Sequence, residues 1–182
     1  VDGRKVFAAM PSMSDFESQQ QPVTDAVTLA YRELGTGQPI IMLHGLADHS
    51  LVWYPLAVAL SDRYRCLAPD LRGHGDSSKP AANQYDASLF AADLEQFCQR
   101  QGLGAVHVVA HSWAAKIALV WARQQPDRLK GLVLVDPFFV NRLSGAFRPT
   151  FPLLYRTLPF LKVMGPFATL EQAATIAQGL KQ

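Results

Sequence analysis

Apolar residues along this chain fall into two rhythms. Residues 40–43, 66–68, 106–110 and 132–135 are short runs of strand length with little alternation. Runs of that kind suit strands covered on both faces, which predicts a parallel sheet. Residues 27–34 alternate apolar and polar side chains and predict a further strand, separated from 40–43 by the turn-forming Gly35, Thr36, Gly37, Gln38 and Pro39. Between the runs, apolar residues recur at helical spacing. One helix is predicted over 51–60, with Pro55 tolerated near its first turn. A second opens at Asp86 as N-cap and lines Phe90, Leu94, Phe97 and Cys98 along one face. A third carries Ala114, Ile117, Ala118 and Trp121 at i, i+3, i+4, i+7 and stops before Pro126. Strands alternating with helices predict an α/β fold with a doubly wound, mostly parallel sheet.

The ends of the chain have a different texture. Residues 1–22 are polar, rich in Ser, Gln and Pro, and are expected to form an extended or loosely ordered lead-in. Residues 23–140 hold the strand and helix patterns and form the expected core. Beyond Pro137 the chain is rich in Phe, Leu and Pro without a strand period, and residues 170–180 again have a helical pattern. Residues 141–182 are therefore expected to be a helical lid or cap segment.

Composition narrows the class. The 182 residues are 49% hydrophobic and 18% charged, which is globular and of a size for one domain. A net charge of +2, with no basic run, argues against nucleic acid as a partner. Cys66 and Cys98 lie in a strand and on a helix face, as small buried thiols of a reducing compartment would. No apolar stretch approaches the roughly 20 residues that span a bilayer, and residues 6–10 are too short for a signal-peptide core. A cytoplasmic protein is the expectation.

The chemistry gathers where strands end. Ser112 follows the run 106–110 after a single residue, and a helix pattern begins at once behind it. So tight a strand-to-helix turn pushes the hydroxyl above the sheet, with the next amide and the helix N-terminus aimed at whatever the oxygen attacks. That suits a nucleophile better than a helix cap. His44 and Gly45, Asp70 and Asp136 also follow strands, and in an open parallel sheet ligands bind beyond the strands' carboxyl ends.

Four motifs, HGLADHSLVW (44–53), PDLRGHGDSS (69–78), AHSWA (110–114) and GLVLVDP (131–137), occur in the order and spacing of α/β-hydrolase-fold enzymes. The chain resembles the lid-bearing serine hydrolase branch of that superfamily, closely over about 27–140 and by texture beyond. The resemblance implies Ser112 as nucleophile and the amides of Leu46 and Trp113 as oxyanion-hole donors. It also implies a pocket bordered by His44, His111 and Phe138, with no cofactor and no metal. Alanines at 110 and 114 replace the usual elbow glycines, so the turn is expected to survive with slight crowding. Some members of the superfamily take their acid from the position of Asp136, although Asp-Pro is also an ordinary strand-ending turn. None of the five histidines matches the family base, which follows the last strand. The chain is accordingly expected to be C-terminally incomplete, lacking the catalytic histidine and the usual acid.

Asp70, Arg72 and His74 are expected to be structural, with Arg72 paired to carboxylates and Gly73 and Gly75 allowing a tight turn. His44, Asp48, His49, Asp70, His74 and Asp76 match no recognised zinc spacing. Trp53 and Trp121 are expected in the core, whereas Trp113 borders either pocket or core. The sequence thus points to a hydrolase cleaving an ester, thioester or related acyl bond of a lipophilic small molecule. The alternative is a non-catalytic, hydrolase-like binding protein.

Overall fold

The computed structural model describes residues 11–137. The lead-in before Pro11, Phe138 and the expected lid at 141–182 lie outside the described residues. Six strands, β1 (Ser18–Pro22), β2 (Thr28–Leu34), β3 (Gln38–Leu43), β4 (Tyr64–Pro69), β5 (Val106–His111) and β6 (Leu129–Val135), form one sheet among those residues. Three α-helices, α1 (Tyr54–Leu60), α2 (Ala87–Arg100) and α3 (Ala114–Gln124), join them.

The strand order is β1-β2-β4-β3-β5-β6. β3 runs parallel to both β4 and β5, and β5 parallel to β6. The expected mostly parallel sheet is therefore present, with an antiparallel margin in which β2 pairs with β4 and β1 with β2. Crossover helices cover both faces at the centre of the sheet, whereas β6, at the edge among the described residues, keeps Val133 and Val135 exposed, unlike the two-sided cover its apolar run implied. Phe90, Leu94 and Phe97 of α2 and Ile117, Ala118 and Trp121 of α3 share one core with Leu29, Ile41, Leu67, Val106 and Val108 of the sheet. Ala57 of α1, with Trp53 and Phe16, closes the other face over Met42, Cys66 and Ala68.

The local signals explain most boundaries. Asp86 caps α2 as its sequence position implies, its carboxylate accepting from the amides of Ser88 (2.9 Å) and Leu89 (3.2 Å). α3 stops at Gln124, two residues before Pro126. The helix expected over 51–60 starts as a 3-10 turn, Ser50–Trp53, and becomes α-helical only at Tyr54, with Pro55 inside its first turn. β1 was hidden inside the polar lead-in. Its side chains are almost all exposed, so no apolar face marks it, and backbone pairing with β2 holds it as a polar edge strand. Just before it, buried Phe16 anchors the chain, its carbonyl accepting from Arg32 Nη1 at 2.7 Å.

Two buried charged groups tie the layers together. Arg72, on the loop after β4, donates through Nε to Asp93 Oδ2 (2.5 Å), through Nη2 to Asp93 Oδ1 (2.6 Å) and through Nη1 to the Gln84 carbonyl (2.9 Å). This is the carboxylate pairing expected of Arg72, and it fixes the loop to α2. Glu95 accepts from Trp121 Nε1 (3.1 Å) and is paired with Arg128, linking α2, α3 and the approach to β6. Cys66 and Cys98 are free and buried, and burial pushes their thiols up to about 11 and about 12.

Removing one member of a buried, bidentate ion pair strands the other charge in a low-dielectric interior. Asp93→Ala should therefore cost about 3–5 kcal/mol of unfolding free energy, measured by urea denaturation against the parent. A loss below about 1 kcal/mol, typical of exposed pairs, would show that solvent reaches Arg72.

Candidate active site

β5 ends at His111 and α3 begins at Ala114, so Ser112 and Trp113 alone reverse the chain. Ser112 takes up a left-handed backbone with φ of 55°. For a residue with a Cβ this conformation costs roughly 1–2 kcal/mol, so the surroundings must enforce it. They do so from both sides. The Ser112 amide donates to the Val135 carbonyl on β6 at 2.9 Å, and the Ser112 carbonyl accepts from the Ala115 amide at 3.1 Å as α3 starts. Ala110 and Ala114 are fully buried beside the turn. The turn forms with both methyls in place.

The parallel pairing of β3 with β5 sets Leu43 opposite Ala110, so both strands deliver their following loops to the same edge. Gly45 lies directly against the turn. A Cβ there would stand 3.0 Å from His111 Nδ1 and 3.4 Å from Ser112 Cβ, which leaves no room for a larger residue without displacing the His111 ring. Neither the Leu46 nor the Trp113 amide is engaged by another described residue, and both flank this contact.

The remaining expected site residues separate. Asp136 is exposed, with φ of 46°, and follows the Val135 whose carbonyl holds Ser112. It is thus one residue along the chain from the turn's own hydrogen bond. His111 is half-buried beside Gly45. Trp113 presents its backbone to the turn while its side chain enters the core. Its ring stacks on His74 (5.8 Å, 26°) and meets Phe90 edge-on (5.2 Å, 82°). His44, expected on a pocket wall, is completely buried, and both ring nitrogens are occupied by backbone. The reason is steric: the ring fills the space between β3 and the loop after β4.

Asp70 has the structural role its motif implied. Its carboxylate accepts from the amides of Ser50 (2.6 Å) and Asp76 (2.9 Å). Burial works to raise its pKa, but the neighbouring His44 and those two amides hold it below the usual carboxylate range. Gly75 makes this possible. With φ of +46°, any Cβ there would fall 2.0 Å from Asp70 Oδ2. Among the described residues, no group of three or more His, Cys, Asp or Glu is arranged to hold a metal ion. Nor is any helix there long and apolar enough to cross a membrane.

The family model for the alpha/beta hydrolase fold matches residues 38–175. The chain belongs to that family. Among curated relatives, this α/β hydrolase is 36% identical over 110 residues to 2-(acetamidomethylene)succinate hydrolase of Mesorhizobium japonicum, covering 60% of this chain and 39% of that protein. It is 32% identical over 133 residues to haloalkane dehalogenase 2 of Mycobacterium bovis, covering 73% and 46%. The solved structure of E-2-(acetamidomethylene)succinate hydrolase superposes with a TM-score of 0.74 at 25% identity, over 92% of this chain and 74% of that one. The chain therefore spans less than half the length of these two curated relatives.

Two measurements test the site's local physics. Ser112→Gly should raise stability by about 1 kcal/mol by relieving the left-handed strain, while Ser112→Ala gives no such gain. Equal melting temperatures for the two variants would mean that the turn stores no strain. The second concerns His44, whose pKa burial lowers from 6.5 to about 3, with nearby His74 adding to the effect. The unfolded chain then binds a proton that the folded chain excludes. This contribution is complete above the unfolded pKa and is lost as pH falls towards the folded one, by about 1.4 kcal/mol per pH unit. Unfolding free energy should drop by about 2 kcal/mol between neutral pH and about pH 5, and a flat profile over that range would contradict it.

Proposed function

We propose that Ser112 is the nucleophile of a serine hydrolase cleaving an ester, thioester or related acyl bond of a lipophilic small molecule. The observation that carries this reading is the left-handed Ser112 at the end of β5, with the Gly45–Leu46 segment packed against it. A side chain is held in such a backbone where exposure of its end group outweighs the strain. Ser112 Oγ attacks the acyl carbon and passes its proton to a base. The carbonyl oxygen becomes an oxyanion between the Leu46 and Trp113 amides. Each donor of this kind is worth about 3–4 kcal/mol of barrier. Collapse of the intermediate expels the protonated leaving group, and water then releases the acyl group from Oγ by the same steps in reverse. The reading requires a histidine as base and gives that part to none of the five histidines of this sequence. Asp136, beside the turn, is its candidate orienting acid. The lipophilic substrate rests on the apolar texture of the segment beyond Pro137.

The relatives span several bond types, including haloalkane dehalogenases and epoxide hydrolases. Serine favours the acyl branch for a chemical reason. Attack of a hydroxyl on a saturated carbon would leave an ether, which water at an oxyanion hole cannot open. Attack on an acyl carbon leaves an ester, which it can.

The test uses the protein as its source makes it, treated with a fluorophosphonate. Ser112 Oγ displaces fluoride from phosphorus, and its proton goes to the base. Intact mass should show a single adduct that maps to Ser112 and is missing from Ser112→Ala. Turnover of a haloalkane or epoxide without labelling would overturn the acyl reading. Neither labelling nor turnover would favour the non-catalytic alternative.

A further inference from the structure

His44 and His74 are the two fully buried histidines that the proposed reaction leaves without a part. Their rings lie 5.0 Å apart beneath the loop after β3. His44 Nε2 receives the Leu71 amide at 3.0 Å. A backbone N–H is always a donor, so Nε2 must be the bare nitrogen and the proton must sit on Nδ1. That proton is donated to the Gly45 carbonyl at 2.8 Å. The same carbonyl also accepts from the Asp48 amide at 3.2 Å. His74 Nε2 stands 2.8 Å from the next carbonyl, that of Leu46.

The Gly45 carbonyl and the Leu46 N–H belong to one peptide plane. In a planar trans peptide they point in opposite directions, so holding one fixes the aim of the other. No cis peptide occurs among the described residues. Gly45 itself could otherwise rotate more freely than any other residue type, and the space beside it cannot take a Cβ that might restrict it.

We propose that His44 is a positioning residue for the oxyanion hole. Its Nδ1–H, bonded to the Gly45 carbonyl, sets the Gly45–Leu46 peptide plane and so aims the Leu46 amide, while Nε2 anchors the ring to Leu71. The proposal rests on the serine hydrolase reading, which makes the Leu46 amide an oxyanion donor. His74 meets the Leu46 carbonyl, which belongs to the next peptide plane, and so restrains the far side of Leu46. Protonation of His44 would expel the Leu71 amide from Nε2, so the arrangement works with a neutral ring. The groups facing His44 from neighbouring segments are His74, Asp70 and His49.

The experiment compares His44→Asn and His44→Gln with the parent, as their source makes the chain, by the rate of fluorophosphonate labelling. Asn places its amide N–H near the position of Nδ1 and keeps the Gly45 donor. Gln reaches the Nε2 position and keeps only the Leu71 contact. Labelling should fall by about tenfold to a hundredfold in His44→Gln, the scale of a mis-aimed oxyanion donor, and His44→Asn should recover most of that loss. Equal rates in all three proteins, or equal losses in two folded variants, would overturn the positioning role while leaving Ser112 as nucleophile. A parent that takes no label would remove the hydrolase reading and the positioning role with it. Nitrogen-15 NMR of the unaltered protein gives a readout that needs no variant to fold. His44 should carry its proton on Nδ1 at neutral pH, and an Nε2–H ring or an imidazolium would overturn the proposal.

Discussion

The parallel pairing of β3 with β5 is the contact on which the site depends. Residues Ile40–Leu43 and His107–Ala110 lie side by side at the centre of the sheet, pointing the same way. Their carboxyl ends therefore release two loops at one edge, one with Gly45 and Leu46 and the other with Ser112 and Trp113. A parallel pair needs a long crossover, and the chain between these strands supplies α1, β4 and α2. The helices that make the crossover possible also cover both faces of the sheet at its centre, so the pairing and the core form together.

Around that centre, the buried charged and imidazole side chains have defined work. Arg72 and Asp93 pin the loop after β4 to α2. Asp70 closes the same loop by accepting the Ser50 and Asp76 amides, and Gly75 leaves space for its carboxylate. His44 and His74 fill the gap between this loop and the one after β3, bonding to backbone on either side. The loop after β4 thus supports the Leu46 segment from below and also meets the turn itself, through the His74 ring stacked on Trp113. Strain at Ser112 and the hydrogen bonds beneath it go together, since a left-handed serine persists only on a support that does not yield.

Membership of the α/β hydrolase family fits this division between a general scaffold and a specific edge. The relatives named above cleave chemically different bonds on the same sheet. At that edge this chain places a hydroxyl at position 112, with alanines 110 and 114 on either side of the turn.

Much of this was legible in the residues themselves. Unalternating runs marked β3 to β6, Asp86 marked the start of α2, and Pro126 marked the end of α3. The crowding of strand pattern, Ser112 and helix pattern left no conformation for the serine but a tight turn. Those signals are local, and the physics behind them acts over a few residues. β1 was not legible, because an edge strand with exposed polar side chains is held by a neighbour's backbone and needs no apolar pattern of its own. The insertion of β4 between β2 and β3 was equally silent, since strand order depends on how helices pack across the sheet. His44 shows the limit most clearly. Its place after a strand suggested a pocket wall, and only the fold, by bringing the Leu71 amide to Nε2 and the Gly45 carbonyl to Nδ1, made it a buried brace. A side chain's identity determines which bonds it can make, but its partners come from distant segments, and which of them arrive is decided by tertiary packing.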